Sequence, residues 1–466
     1  MEDQRHQSEA APAQLSLWDA VSICIGIIIG AGIFETPSAI FLKVPGSWNG
    51  LELGPWIALG LWLVGGFLAL LGALCFAELA STYPHSGGEY VYLSRAFGPL
   101  VGFLFAWAQF SIIRPGSIAA VAYVFANYAD RLGTFPAYMP LVFAVSAIIA
   151  LTAINILGVT LGTRTQNLLT VAKLAGLALI VVVGIAYADP KPSGRPVEYG
   201  LPGWFAGAMI AVLFTYSGWH EAAYVAAEVR NPRRNLPLAL LLGTVAVTLV
   251  YVAVNVAYLV AFGFEGAQGG ELAAEVFALA WGKWGEAAMC LLVVICTLGG
   301  INGMIFTTAR IYTAFGSDHR LFHPLSKWSR RWGTPVRALL AQAVITLAMT
   351  IGIWIFFRAE KQFDVLLETT TAVFFVFFLL TGVALFVLRR KDAQVSRPFP
   401  VPGYPVVPVL FCALCGYMVY GAITYAPKKS LIGFLILFAG LPLYLLPKKD
   451  RASRAPAPTD QRLSVG

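Results

Sequence analysis

Charge is what this chain has least of. Asp, Glu, Lys and Arg make up 12% of its 466 residues, about half the roughly 25% of a soluble globular domain. So few charges cannot cover a particle that faces water on all sides. A soluble enzyme, a disordered scaffold and a coiled coil are therefore excluded. Cysteine is also scarce, with six residues: Cys24, Cys75, Cys290, Cys296, Cys412 and Cys415. All six fall in apolar runs, where a thiol behaves as a small hydrophobe, so a secreted disulfide framework is excluded too. The Cys412-Ala-Leu-Cys415 spacing has the form of a redox motif, but its apolar surroundings favour the packing role. No cleavable signal peptide is expected, because residues 1–15 are polar and the first apolar run is too long for one. A His/Glu metal cluster, a serine–lysine pair and an aspartate pair of catalytic spacing are all missing, so neither an enzyme nor a cofactor is expected.

Apolar residues dominate instead. Ala, Val, Ile, Leu, Met, Phe, Trp, Tyr and Cys reach 58%, and mean hydropathy is +0.73. Runs of about 20 such residues recur, the length that crosses a ~30 Å hydrocarbon core. The sequence predicts an all-α polytopic membrane protein with twelve spans, near 16–42, 55–80, 96–127, 137–158, 165–187, 203–228, 236–263, 284–314, 337–357, 364–388, 405–425 and 430–447. Turn residues separate them, among them Pro45-Gly46-Ser47, Asn231-Pro232-Arg233-Arg234 and the stretch Pro398 to Pro405. The basic, Ala/Pro-rich residues 448–466 read as a disordered tail.

The net charge of +8 is a matter of topology. Of the 32 Lys and Arg, 21 fall in the two tails and the even-to-odd connections, including Arg230, Arg233, Arg234, Arg310, Arg389, Arg390 and Lys391. Nine fall on the other side, such as Lys43, Arg131 and Lys283, and two, Arg114 and Lys173, lie inside spans. The positive-inside rule then places both termini in the cytoplasm of a cell inner membrane. No nucleic-acid partner is implied.

Two spans carry breaks. In span 1, Gly26, Gly30 and Gly32 crowd the middle, and Glu35 and Pro37 follow. Span 6 turns polar at Thr215-Tyr216-Ser217-Gly218-Trp219-His220-Glu221. Each helical glycine costs about 1 kcal/mol relative to alanine, so such segments unwind first. Unwound backbone at membrane depth is tolerated only within protein or around a cavity. Two interrupted spans, each first in a five-span half, point to an inverted-repeat transporter. The N–H groups of a half-helix N-terminus suit a carboxylate, and unpaired carbonyls suit an ammonium. A zwitterionic amino acid needs both. Close helix packing through small residues is the other reading of the glycines.

Specific stretches carry a resemblance. They are Gly30-Ala31-Gly32-Ile33-Phe34, Ser86-Gly87-Gly88-Glu89-Tyr90, Ile113-Arg114-Pro115, Gln166-Asn167-Leu168, Gly218-Trp219, Asn231-Pro232-Arg233-Arg234-Asn235-Leu236-Pro237, Gly299-Gly300-Ile301-Asn302-Gly303 and Thr308-Ala309-Arg310. In this order, from about Leu15 to Leu446, the chain resembles the L-type amino acid transporters, a branch of the amino acid–polyamine–organocation superfamily. The resemblance implies the five-plus-five inverted repeat (the LeuT-like fold) with helices 1 and 6 broken. It gives a cytoplasmic tail at 1–15, repeats at 16–187 and 203–388, two further helices at 405–447, and a second cytoplasmic tail at 448–466. It further implies that the substrate carboxylate meets N–H groups near Gly30, Ala31, Gly32 and Ile33, and that the amine meets carbonyls near Ile28 and Phe214. Phe214 takes the aromatic gate position. Tyr216 lies beside it in the same motif, and Ser217 lines the side-chain pocket.

The chain also departs from the family. Ala31 replaces a common serine, so carboxylate binding rests more on backbone N–H groups. His220 follows the Gly-Trp pair and reads either as a pH-sensitive contact or as a neutral, hydrogen-bonded core histidine. The heavy-subunit cysteine of eukaryotic members is missing from Ala129 to Pro140. A stand-alone prokaryotic monomer in membrane lipid, without a heavy subunit, is therefore expected.

The resemblance places Lys173 against the span 1 break and span 8, where sodium-coupled relatives hold a cation. Its ammonium would stand in for that ion, meeting the carbonyl of Gly26 and the hydroxyl of Thr297. Snorkelling to the membrane surface is the alternative. Arg114, in the middle of span 3, reads either as a contact for an acidic substrate or as the partner of Glu221. Glu78, Glu228 and Arg310 suggest an ion-pair network near the cytoplasmic end. Trp18 and Asp19 read as interfacial anchors. The expected function is carriage of small or neutral L-amino acids by alternating access, as an exchanger or with protons. The alternative is an amino-acid sensor that binds without cycling.

Overall fold

The computed structural model describes residues 15–30, 32–47, 51–188, 204–269, 272–357 and 362–445. Among them the architecture is helical, and the one extended contact is a parallel bridge between Leu15 and Val229. That bridge ties the entry of the first helix to the exit of the sixth span: the Leu15 N–H donates to the Glu228 carbonyl and the Arg230 N–H to the Leu15 carbonyl, each at 2.9 Å.

The first span is two helices. α1 (Leu17–Ile28) and α2 (Gly32–Lys43) meet at 46°. Ser16 and Asp19 form a capping box at the start of α1. Asp19 also accepts from Asn167 at 2.7 Å, so it joins two helices rather than only anchoring at the interface. Trp18 is 71% exposed, as an anchor should be. α3 (Gly54–Thr82) crosses next, and the short α4 (Glu89–Phe97) follows. The third span is continuous from Pro99 to Asp130, but it changes pitch. α5 (Pro99–Ala108) passes into a π turn at Gln109–Ile113 before α6 (Arg114–Asp130). Pro115 lacks the N–H an α-helix would use, and a π turn absorbs one extra residue there.

α7 (Met139–Ile156) and α8 (Val159–Ala186) complete the first half. The predicted sixth span is α9 (Trp204–Thr215) followed by a 3-10 helix, Trp219–Glu228. Twelve α-helical residues rise only about 18 Å, so α9 cannot cross alone. α10 (Pro232–Gly266), α11 (Leu272–Trp281), α12 (Lys283–Asp318), α13 (Val336–Phe356) and α14 (Gln362–Lys391) follow, then α15 (Val406–Tyr425), α16 (Pro427–Phe438) and α17 (Gly440–Leu445). Ten helices among the described residues are long and apolar enough to cross a membrane, and the bent α1–α2 pair makes an eleventh. The twelfth expected span corresponds to α9 and the 3-10 segment.

Packing centres on α12, which is buried along most of its length. α1 lies against α8, α10, α12 and the 3-10 segment, so its broken end is enclosed by protein. Outward faces are apolar: Phe67, Leu168, Val171, Leu249 and Val344 are exposed. Such a surface suits the hydrocarbon interior of a bilayer.

Candidate functional site

The break in helix 1 leaves carbonyls without intrahelical partners. Side chains supply them. Lys173 Nζ donates to the carbonyls of Gly26 (2.7 Å), Ile29 (2.8 Å) and Cys296 (3.0 Å). The Tyr251 hydroxyl donates to the Ile28 carbonyl at 2.9 Å. Lys173 is fully buried in α8, fourteen residues beyond the helix start at Val159, so it does not snorkel. Its expected partner Thr297 is displaced: that hydroxyl donates within its own helix to Val293 (2.7 Å) and Val294 (3.0 Å). A threonine in a helix finds its i−4 carbonyl first, and the acceptor facing the ammonium is the neighbouring Cys296 carbonyl.

The break in helix 6 lies directly against it. Gly218 has φ +109°, and a Cβ there would come within 2.9 Å of Ile27 Cγ2. Only glycine both adopts that backbone and permits the approach. Gly32 meets α9 in the same way, since its Cβ would lie 3.0 Å from the Thr215 side chain. The hydroxyls of Thr36 and Thr215 bond each other at 2.9 Å. Two chain interruptions are thus clamped face to face.

A cavity of about 120 Å³ opens between them. At roughly 10–15 Å³ per enclosed water, it has room for a small group of waters or one compact solute. Ile28, Gly30, Gly32, Phe214, Ser217, Arg114 and His220 line it, as expected from the sequence. Ala31 lies outside the described residues. Ile33 is buried in α2 and does not line the cavity, and neither does Tyr216. The Tyr216 hydroxyl instead donates to the Trp62 carbonyl at 3.0 Å, and its ring packs on Trp62 and Tyr251.

A second cavity, of about 630 Å³, adjoins the first. Lys43 and Arg131, from the basic-poor side, line it together with Glu35 and Glu368. Phe214, Phe363, Leu367, Thr371 and Phe375 line both cavities and so form the wall between them. The rings of Phe214 and Phe363 stand edge to face, 5.8 Å apart. Phe363, Thr371 and Phe375 carry no sequence signal that distinguishes them from other residues of an apolar span.

The opposite side is shut by ion pairs. Arg310 and Glu228 form a two-pronged pair at 2.7 and 2.9 Å. Arg389 donates to both oxygens of Glu78, which also accepts from the Val401 N–H. The expected network is therefore two separate locks, with Glu78 held by α14 rather than by Arg310. Closer to the surface, Asp392 bonds Arg95 and the Tyr83 hydroxyl. The Arg95 hydrogen bond is the main cause that holds the Asp392 carboxyl below the usual carboxylate range.

Every nitrogen of the Arg114 guanidinium is engaged. Its Nε donates to Gln109 Oε1 at 2.9 Å, Nη1 bonds Glu221, and Nη2 reaches His220 Nε2 (3.2 Å) and the Tyr224 hydroxyl (3.3 Å). Glu221 also accepts from the Thr307 hydroxyl. Guanidinium has only donors, so His220 Nε2 must accept. That fixes the ring as neutral with its proton on Nδ1. Phe76, Phe374 and Phe378 surround it. Of the two readings of each residue, the structure favours the ion pair for Arg114 and the neutral core ring for His220.

These features can now be set beside known proteins. The amino acid permease family profile matches residues 15–446. The chain belongs to that family. It is a multi-pass membrane transporter of amino acids, not an enzyme. It is similar to human "Large neutral amino acids transporter small subunit 2", with 32% identity covering 94% of this chain and 81% of that one. Human "b(0,+)-type amino acid transporter 1" is 31% identical, covering 96% and 90%. Mouse "Asc-type amino acid transporter 1" is 31% identical, covering 94% and 81%. The L-type resemblance read from the motifs is borne out, and a sensor that does not cycle finds no support. The first relative is by name a subunit, so the expectation of a lone monomer draws no support from it.

Proposed function

We propose that the transporter carries neutral L-amino acids by alternating access across a cell inner membrane. The observation that carries this reading is the position of Phe214. It stands between a small central cavity at two paired helix breaks and a larger vestibule, while ion pairs close the other side. Substrate carboxylate would take the free N–H groups that begin α2, near Ala31, Gly32 and Ile33. Its amine would take the carbonyls of Ile28 and Phe214. The Phe214 carbonyl accepts one hydrogen bond, from the Ser217 N–H, and keeps a lone pair. The Ile28 carbonyl accepts from both the Gly30 N–H and the Tyr251 hydroxyl, so one of these donors would give way to the amine. Phe214 would then swing over the bound substrate, and the locks Arg310–Glu228 and Arg389–Glu78 would part to open the basic-rich side.

Neutral substrates are favoured because Arg114 already holds Glu221, so an acidic side chain would have to compete with that buried carboxylate for the guanidinium. Cationic substrates would meet that guanidinium across the cavity wall. Lys173 occupies the carbonyl cluster at the α1 break, which supports sodium-independent transport. The matching breaks in the first and sixth spans support two repeats, 16–187 and 203–388, with 405–447 outside them and 1–15 and 448–466 as tails. The excess of Lys and Arg on one side supports cytoplasmic termini. A stand-alone prokaryotic monomer is supported by the six free cysteines, all on apolar helices, and by the lack of any cysteine from Ala129 to Pro140.

The test is competition for labelled L-leucine uptake into proteoliposomes by each of the twenty amino acids. Neutral amino acids should compete best, acidic ones less, and lysine and arginine least. Strong competition by lysine or arginine would overturn the substrate class.

A further inference from the structure

Behind the cavity wall lies a carboxyl group that transport of the amino acid itself does not use. Glu89 opens α4 and is fully buried. Its Oε1 accepts from the Tyr224 hydroxyl at 3.1 Å, and the same hydroxyl accepts from Arg114. Its Oε2 has no hydrogen-bond partner among the described residues. His220 Nε2 stands 3.9 Å from Oε1, beyond hydrogen-bond reach. His220 Nδ1 is likewise buried without a partner.

The charges do not balance if Glu89 is ionised. Two carboxylates, Glu89 and Glu221, share one guanidinium, and Arg114 is bonded to Glu221. His220 is neutral by its contact with Arg114. Tyr92, on the same helix as Glu89, is also buried with its hydroxyl unpartnered. The other charged groups on the packed elements are engaged elsewhere: Arg389 with Glu78, Arg310 with Glu228, and Asp318 with the Tyr90 hydroxyl. A buried anion with one unbonded oxygen, and with its nearest counter-charge already bonded to another carboxylate, is disfavoured against its protonated form.

We propose that Glu89 is the proton-binding site of this transporter and makes it a proton–amino acid symporter. The proposal rests on the transport reading above. With the basic-rich side closed, Glu89 holds one proton, taken from a hydronium ion in the cavity beyond Arg114 and His220. When the Arg310–Glu228 and Arg389–Glu78 locks part, water reaches Glu89. The O–H bond breaks, the proton passes to that water, and the carboxylate is left hydrated. No other bond changes. Burial, the leading cause, pushes the Glu89 carboxyl up to about 8, so loading from an acidic vestibule runs downhill. Release to a neutral interior waits for the hydration that follows when the locks part and favours the ionised form again.

The experiment uses the full chain in proteoliposomes with labelled L-alanine and L-leucine, pyranine in the lumen, and pH 6 outside against pH 8 inside. Wild type should accumulate substrate, by up to about tenfold per pH unit at one proton per substrate, and the lumen should acidify as substrate enters. Glu89→Gln, a fixed mimic of the protonated group, should keep exchange at symmetric pH within about twofold and lose both responses. Glu89→Asp should keep both. Exchange in wild type with no response to the gradient, or gradient-driven accumulation in Glu89→Gln, overturns the proton site and leaves the transport reading standing. No exchange in wild type under any gradient sinks the transport reading and the proton site with it. If Glu89→Gln does not fold, the wild-type lumenal pH decides alone: acidification on adding substrate supports the site, and a steady pH overturns it.

Discussion

Two basic side chains of the membrane-spanning core, Arg114 and Lys173, are neutralised in opposite ways. Arg114 faces a carboxylate, Glu221, and gives other donors to Gln109, His220 and Tyr224. Lys173 is held by three backbone carbonyls of α1 and α12, and no carboxylate bonds it among the described residues. The arginine makes an ion pair that could in principle be exchanged for a neutral pair of similar shape. The lysine cannot be replaced so simply, because two of its acceptors, the Gly26 and Ile29 carbonyls, are left over by a helix break. Those carbonyls must meet some donor wherever the break exists. The lysine is therefore part of the backbone architecture of the site, and the arginine is part of its wall.

The largest effect is expected at Lys173. Lys173→Ala strands the two buried carbonyls of the α1 break, Gly26 and Ile29, each worth about 1–3 kcal/mol of desolvation. Exchange in proteoliposomes should fall by at least about tenfold while the protein remains folded by circular dichroism and gel filtration. An undiminished alanine variant would show that the break holds itself together.

Arg114 comes next. Arg114→Ala leaves Glu221 buried without its partner, which should destabilise by about 3–5 kcal/mol, read as a drop in thermal midpoint. The double variant Arg114→Met, Glu221→Gln should recover most of the loss. If the double variant is no better than the single, the guanidinium matters for something other than Glu221. If glutamate and aspartate alone compete for wild-type uptake and lose that ability in Arg114→Ala, the arginine is a substrate ligand.

Phe214 lines both the central cavity and the vestibule. Phe214→Ala should raise the apparent KM, lower the maximal rate, or both, by about tenfold, because the wall between cavity and vestibule then stays open. A loss confined to protein yield would make Phe214 a packing residue only.

The smallest effect is expected at a pair outside the spans, Arg95–Asp392. Its Asp392 carboxyl is held below the usual range, so its contribution is present above the unfolded carboxylate pKa and lost as pH falls through the folded value. Half-exposed pairs are worth at most about 1 kcal/mol. Asp392→Asn should shift the thermal midpoint slightly at pH 7 and not at all at pH 3. A shift as large as that of Arg114→Ala would mean that burial does not separate the two pairs.

The sequence made the breaks legible because glycine and polar residues in mid-span are physically conspicuous, at Gly26, Gly30, Gly32 and Gly218. Lys173 was legible for the same reason, as one ammonium in an apolar run. Its acceptors were only half legible. Gly26 belongs to the break, but choosing between the Thr297 hydroxyl and the Cys296 carbonyl depends on a helix satisfying its own threonine first. Tyr216 sits in the right motif yet points to Trp62, a matter of rotation about α9 that no local pattern encodes. Phe363 is apolar in an apolar chain, and only tertiary contact reveals it beside Phe214 in the wall between the two cavities. Glu89 belongs to a motif between spans 2 and 3 that carries no sign of burial, and its place beneath Tyr224 arises from packing between elements more than a hundred residues apart.

The central claim is that a lysine ammonium does here what a bound sodium ion would do at the broken first helix. The most direct measurement is labelled L-leucine counterflow in wild-type proteoliposomes, with sodium replaced throughout by choline. The account predicts the same initial rate and the same plateau in both salts. A rate that collapses in choline and returns as sodium is restored would contradict it.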